Sequence, residues 1–145
     1  MRIKIWAIVL GCLMLTAGAT FAQESAPGDP ADVAIGTATL ISYFEALKGG
    51  DVAALKSLLS ADAYAKYKEL IESNTEYPAF LRNYYRGLEY RVDTVERAGQ
   101  ELAARVTITF PEAEPVTSTF ILRRETDTGA GDAAPVTWRI AEQNT

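Results

Sequence analysis

Tyr43-Phe44-Glu45-Ala46-Leu47-Lys48-Gly49-Gly50-Asp51-Val52-Ala53-Ala54-Leu55 is the stretch on which the fold turns. Gly49-Gly50 stops a helix, because glycine adopts the left-handed conformation that a helix end requires. Asp51 then supplies a side-chain acceptor for the free amides of the next helix. Upstream, Val33, Thr37, Leu40, Phe44 and Leu47 recur at helical spacing and predict one amphipathic helix over about residues 31–48. Downstream, Val52, Leu55, Leu58 and Leu59 make the inner face of a second helix. Ser60 or Asp62 starts a third, with Ala63, Tyr67, Leu70 and Ile71 inward, and Ser73-Asn74-Thr75 breaks it. Pro78 stands where a first-turn proline is tolerated, so Phe80, Leu81, Tyr84, Tyr85 and Leu88 suit a short fourth helix.

From Gly87 the apolar period changes from helical to two. Leu88, Tyr90 and Val92 alternate with polar residues, as do Leu102, Ala104, Val106, Ile108 and Phe110. Val116, Ser118, Phe120 and Leu122 follow, then Val136, Trp138 and Ile140. These are four half-buried strands. Their connections are Ala98-Gly99-Gln100, the proline-bounded turn 111–115, and the glycine-rich loop 128–135. All are too short for a parallel crossover, so the strands pair antiparallel. Helices followed by a four-stranded antiparallel sheet define an α+β domain with the helices packed on the sheet's apolar face.

The N-terminus reads as an export signal at residues 1–22. Arg2 and Lys4 precede an apolar run from Ile5 to about Leu15, and a small-residue segment ends at Ala22, the expected cleavage point. The run decays into Thr and Gly before reaching the roughly 20 apolar residues a membrane span needs. No integral membrane segment is therefore expected after cleavage. The alternative processing site is Val9-Leu10-Gly11-Cys12, with Cys12 as a lipid anchor, although this leaves a short apolar core before the cut. The expected location is the periplasm or the exterior. Residues 23–30 are polar and rich in Pro and Gly, and read as a flexible linker to a domain over 31–145.

Cleavage would remove Arg2 and Lys4, leaving 12 of 14 basic residues against 19 acidic ones, a formal charge of −7 over 123 residues. The only cysteine would go with them, and the chain has no histidine. A disulfide is then excluded, and the hydrophobic core must carry the stability. Nucleophilic Cys and Ser–His chemistry have no parts to work with. The acidic balance argues against nucleic acid as a partner. No cofactor is expected. No metal site is expected either, since carboxylates are not clustered and the Gly129-Ala130-Gly131-Asp132 fragment is a single copy of a motif that needs stacking.

The segment quoted first, with Leu58, Leu59 and Ala61-Asp62-Ala63 after it, resembles the opening of the nuclear transport factor 2-like superfamily. That group includes ketosteroid isomerase, scytalone dehydratase and polyketide cyclases. The resemblance implies a cone, a curved sheet wrapped around helices with a pocket at its open end. Tyr43 falls where ketosteroid isomerase keeps a hydrogen-bond-donating tyrosine. The isomerase's Asp-Pro base motif is missing here, and members that use a His–Asp pair are excluded by the absence of histidine. The fold hosts many chemistries, so the resemblance speaks to architecture more than to activity.

Two constellations remain. Phe44, Tyr67, Phe80, Tyr84, Tyr90, Phe110, Phe120 and Trp138 fit an inward register, with Tyr85 turned away from its neighbour Tyr84. They make either an ordinary core or a small, partly apolar cavity with tyrosine hydroxyls and the Trp138 indole N–H as polar handles; Tyr43 joins them as a pocket candidate. On the opposite register Arg91, Arg105, Arg123 and Arg139 stand one per strand. They form either a solvated, charge-paired face or a docking face for a protein partner or a homodimer. The sequence thus points to an exported, non-catalytic binding domain for a small apolar ligand or a protein. Its rivals are an isomerase- or lyase-type enzyme with Tyr43 as hydrogen-bond donor, and an assembly role for the sheet face.

Overall fold

Asp29 opens the first helix by accepting the Ala31 N–H at 2.8 Å, and Pro30 takes a position that needs no amide partner. The computed structural model describes residues 26–126 and 136–145. Within them run β1 (Ala26–Pro27), α1 (Pro30–Gly49), α2 (Val52–Leu58), α3 (Ala61–Ser73), α4 (Tyr77–Tyr84), β2 (Glu89–Ala98), β3 (Glu101–Thr109), β4 (Val116–Thr126) and β5 (Val136–Asn144). The export signal, Cys12 and the whole β4–β5 loop lie outside the described residues, as do positions 23–25 of the expected linker.

The strands form an open antiparallel sheet in the order β1-β2-β3-β4-β5, with the helices packed against it. This is the α+β architecture that the change of period predicts. One difference lies at the edge. Residues 26–30 are not a free linker: Ala26 and Pro27 pair with Arg97 and Glu96, and Asp29 caps α1. Among the described residues no helix is long and apolar enough to cross a membrane.

Gly50 ends α1 in the left-handed conformation (φ 66°), and its N–H returns to the carbonyls of Ala46 and Leu47. A Cβ there would stand 2.3 Å from the Pro78 carbonyl oxygen, so the first turn of α4 packs directly on this glycine. Asp51 accepts the Ala54 N–H at 2.9 Å and caps α2, and Ser60 does the same for α3 through Ala63. The buried face of α1 is rotated from the expected one. Asp32, Gly36, Thr39, Leu40, Phe44 and Leu47 are buried, whereas Val33 and Thr37 are only half-buried. Gly36 explains the rotation: Leu102 and Val95 approach to 2.9 and 3.4 Å of where its side chain would begin, so the helix rests on the sheet there.

The core is built from Leu40, Phe44 and Leu47 of α1 against Leu102, Ala104, Val106, Phe120, Leu122 and Ile140 of the sheet. Two register shifts modify the simple alternation. Asp93 is the extra residue between Val92, paired with Val106, and Thr94, paired with Arg105. Ala141 is the extra residue between Ile140, paired with Leu122, and Glu142, paired with Ile121. Each shift moves the following residues to the other face of the sheet. Arg97 therefore lies on the inner side, opposite Leu102, and Gln143 lies there too, opposite Phe120.

Candidate functional site: a tyrosine-lined cleft

Tyr43, near the C-terminal end of α1, sits where three adjoining cavities meet. An outer one of about 430 Å³ lies between α3 and the end of β5, lined by Leu59, Ala63, Lys66, Tyr67 and residues 140–145. A second, of about 280 Å³, lies between α1, α4 and the ends of β3 and β4, lined by Phe44, Leu47, Tyr84, Tyr85, Ile108, Phe110, Val116 and Ser118. A small inner one of about 90 Å³, open to the others, is lined by Leu47, Leu55, Leu59, Tyr67, Ile71, Tyr77 and Tyr85. Tyr43 and Gln143 line all three, so together they form one branched cleft.

Aromatic packing positions these walls. The Tyr43 ring meets Phe44 and Phe120 edge-on, with centroids 5.5 and 5.9 Å apart. Tyr84 and Tyr85 both contact Phe110, and a run of rings continues from Tyr84 through Phe80 to Tyr77 along α4. Burial, with the phenols of Tyr85, Tyr67 and Tyr77 close by, pushes the Tyr43 hydroxyl well above the ordinary phenol range. Burial raises Tyr85 and Tyr77 as well. The hydroxyls of Tyr43, Tyr77 and Tyr85 are thus neutral at any physiological pH.

This burial has a measurable consequence at alkaline pH. Below about pH 10 the Tyr43 phenol is neutral in both folded and unfolded chains. Above that value the unfolded chain releases a proton that the folded chain still holds, so stability falls as pH rises towards the folded pKa. Urea titrations at increasing alkaline pH should show this decline, and Tyr43→Phe should make it shallower. An identical slope in the variant would mean that Tyr43 ionises in the fold as freely as in solvent.

The structure sorts the sequence candidates. Tyr43, Phe44, Tyr67, Tyr84 and Phe110 line the cleft, but Tyr67 and Tyr84 do so from its rim, 45% and 55% exposed. Phe80 is equally exposed and does not point into the core as its register suggests. Of the adjacent pair, Tyr85 is the more buried, the reverse of the expectation, because Leu81, Tyr85 and Leu88 follow one another down the inward side as α4 ends. Tyr90 is not among the cleft's lining; its ring stacks on Phe44 at 4.5 Å and its hydroxyl donates to Glu45 at 3.0 Å.

Trp138 also lies away from the cleft. Its indole N–H donates to the Asp32 carboxylate at 3.2 Å, near the start of α1. Asp32, 8% exposed, also receives Arg97 at 2.7 Å and Arg124 at 3.4 Å, and the Arg124 guanidinium lies over the Trp138 ring. This cluster ties α1 to β2, β4 and β5. Neither Asp32, Arg97 and Arg124 here nor Tyr77 and Gln143 in the cleft stand out as site candidates from the sequence, and Tyr85 does so only as the aromatic out of register. Arg97 and Gln143 were hidden by the two bulges.

On the outer sheet face Arg123 and Arg139 are directly paired across β4 and β5. Arg123 bonds Glu101 at 2.5 Å and Glu142 at 3.2 Å, Arg139 reaches Glu125 at 3.6 Å, and Arg91 bonds Asp93 at 2.6 Å. Arg105 faces Thr94 and Thr119, and its charge helps hold the Asp93 carboxyl below its ordinary range after the Thr107 and Arg91 hydrogen bonds. Arg91 pairs with Thr107, two positions from Arg105, and Arg105 pairs with Thr119, four positions from Arg123, so the four arginines do not form a continuous row.

Glu142 carries the one side-chain carboxylate in the described lining of the cleft, and it is held by Arg123. Among the described residues no group of three or more metal-ligating side chains comes together. Fold and site thus define a class: an α+β domain with a branched cleft between its helices and the end of its sheet, aromatic in two branches and carrying Lys66 and Glu142 in the third. No family model, curated protein or solved structure matches the chain.

Proposed function

We propose that the chain is an exported, non-catalytic binding domain of the nuclear transport factor 2-like kind, and that the cleft around Tyr43 holds a small, partly apolar ligand. The observation that carries this reading is the meeting of three cavities at Tyr43 and Gln143. A space of this size, walled largely by aromatic and aliphatic side chains in two branches, with hydroxyls, the amides of Gln143 and Asn144 and the charges of Lys66 and Glu142 as polar groups, is how small-molecule sites are built. Export is supported by Arg2 and Lys4 before the apolar run and by the small residues up to Ala22. The non-catalytic reading is supported by Glu142, the one side-chain carboxylate in the described lining of the cleft, which is ion-paired with Arg123.

Native mass spectrometry of the protein purified from the periplasm tests export and ligand together. The expected species has lost residues 1–22 and carries a bound small molecule. A neutral, environment-sensitive dye should also bind saturably, one per chain. Val116→Trp, a substitution at the exposed lip of the second cavity, should weaken that binding about tenfold or more by blocking entry. Unchanged dye binding in this variant would move the site elsewhere, and no uptake by the parent protein would remove the cleft as a binding site.

A further inference from the structure

We infer that the inner branch of the cleft, where Tyr43, Tyr67, Tyr77 and Tyr85 come together, is a site for a weakly hydrated organic cation of the quaternary ammonium type. This inference rests on the reading of the cleft as a binding site and specifies what it binds. Four of the nine residues lining the inner cavity are tyrosines, and none is charged. The branch beside it adds Tyr84 and Phe110, again with no charged side chain. Charge enters only in the outer branch, where Lys66 and Glu142 oppose each other in sign.

Aromatic rings carry negative potential on their faces and attract cations, most strongly where water is excluded. A quaternary ammonium suits such a wall because it gives up little hydration on entry and needs no hydrogen-bond acceptor. An anion would be desolvated with no resident cation against it, in a chain of net charge −5. A compact primary ammonium would lose strong hydration and find no carboxylate in the inner branch. The raised phenols of Tyr43, Tyr77 and Tyr85 add to the case, because these three rings stay neutral over the physiological pH range. The cavity of about 90 Å³ is also small, on the scale of one trimethylammonium group and its neighbouring methylene rather than of a whole drug-sized ligand. The rest of the molecule would extend past Tyr43 towards Phe110 and Val116.

Calorimetric titration of the full mature chain with choline and with neohexyl alcohol, its uncharged carbon isostere, separates charge from shape. Choline should bind at least about tenfold more tightly than the alcohol. Tyr77→Leu should erase most of that preference, while Tyr77→Phe, which keeps the ring, should preserve it within about threefold. Uptake of the neutral dye reports whether each variant keeps its cleft. Equal or tighter binding of the alcohol, or dye uptake without choline binding, overturns the cation assignment and leaves the cleft as a binding site. Failure of dye, choline and alcohol alike overturns the cleft reading itself.

Discussion

Phe44→Ala is expected to lower the unfolding free energy by about 3–5 kcal/mol, measured as a shift in the urea midpoint at unchanged slope. Phe44 is 2% exposed and stands at the centre of an aromatic group. It stacks on Tyr90 and meets Phe120 and Tyr43 edge-on, at centroid separations of 4.5, 5.6 and 5.5 Å. Truncation removes the transfer energy of a buried ring and leaves a void, and these neighbours are pinned from the far side by α1 and the sheet, so they close it poorly. Phe44 is also a wall of the second cavity, so the same variant should bind the neutral dye less tightly. Phe44→Leu fills most of the volume and should cost under about 2 kcal/mol. A loss below about 1 kcal/mol for the alanine variant would show that the aromatic group is not what joins α1 to the sheet.

Asp32→Ala should cost about 2–3 kcal/mol, the second-largest effect among these variants. The carboxylate is buried among Arg97, Arg124 and the Trp138 indole, and its removal leaves three donors without their acceptor. Arg97 and Arg124 are 31% and 47% exposed at their side chains and can recover water, which keeps the cost below that of a fully enclosed pair. Trp138, 4% exposed, has no such recourse. Asp32→Asn keeps an acceptor for the indole while losing the charge, so its cost should fall between alanine and the parent. Because this cluster lies away from the cleft, dye affinity in both variants should stay close to the parental value once the chain is folded. A parallel loss of affinity would mean that the two ends of the domain are coupled.

The turn at Gly49-Gly50-Asp51, the proline of α4 and the alternation of β3 were legible because each rests on a local rule of backbone geometry. Ala104, Val106 and Ile108 point inward as their spacing requires. What could not be read depends on contacts distant in sequence. Asp32 looks like any polar residue in a first helical turn until Arg97, Arg124 and Trp138 are folded around it, 65 to 106 positions away. A bulge is one extra residue with no mark of its own, so extending the pattern of Trp138 and Ile140 places Glu142 rather than Gln143 inward. Tyr67 and Tyr84 were assigned to the interior by periodicity alone, yet a helix lying over an open cleft leaves part of its apolar face at the rim. Tyr43 was singled out through the superfamily resemblance and proved to be the junction of the cavities.

The extra residue at Ala141 decides the chemistry of the cleft as well as the shape of β5. With it, the strand offers a neutral amide to the space around Tyr43, while the carboxylate one position earlier is turned outward to Arg123. In an uninterrupted ladder Glu142 would pair with Phe120 and an acid would stand inside, beside a phenol. A binding cleft and a proton-transfer site are therefore separated in this scaffold by whether Ala141 is bulged out or paired, a one-residue change of register in its last strand. Such a change alters polarity without disturbing Ile140 or the core beneath it, which makes the end of this strand the shortest route by which the fold could exchange one chemistry for another.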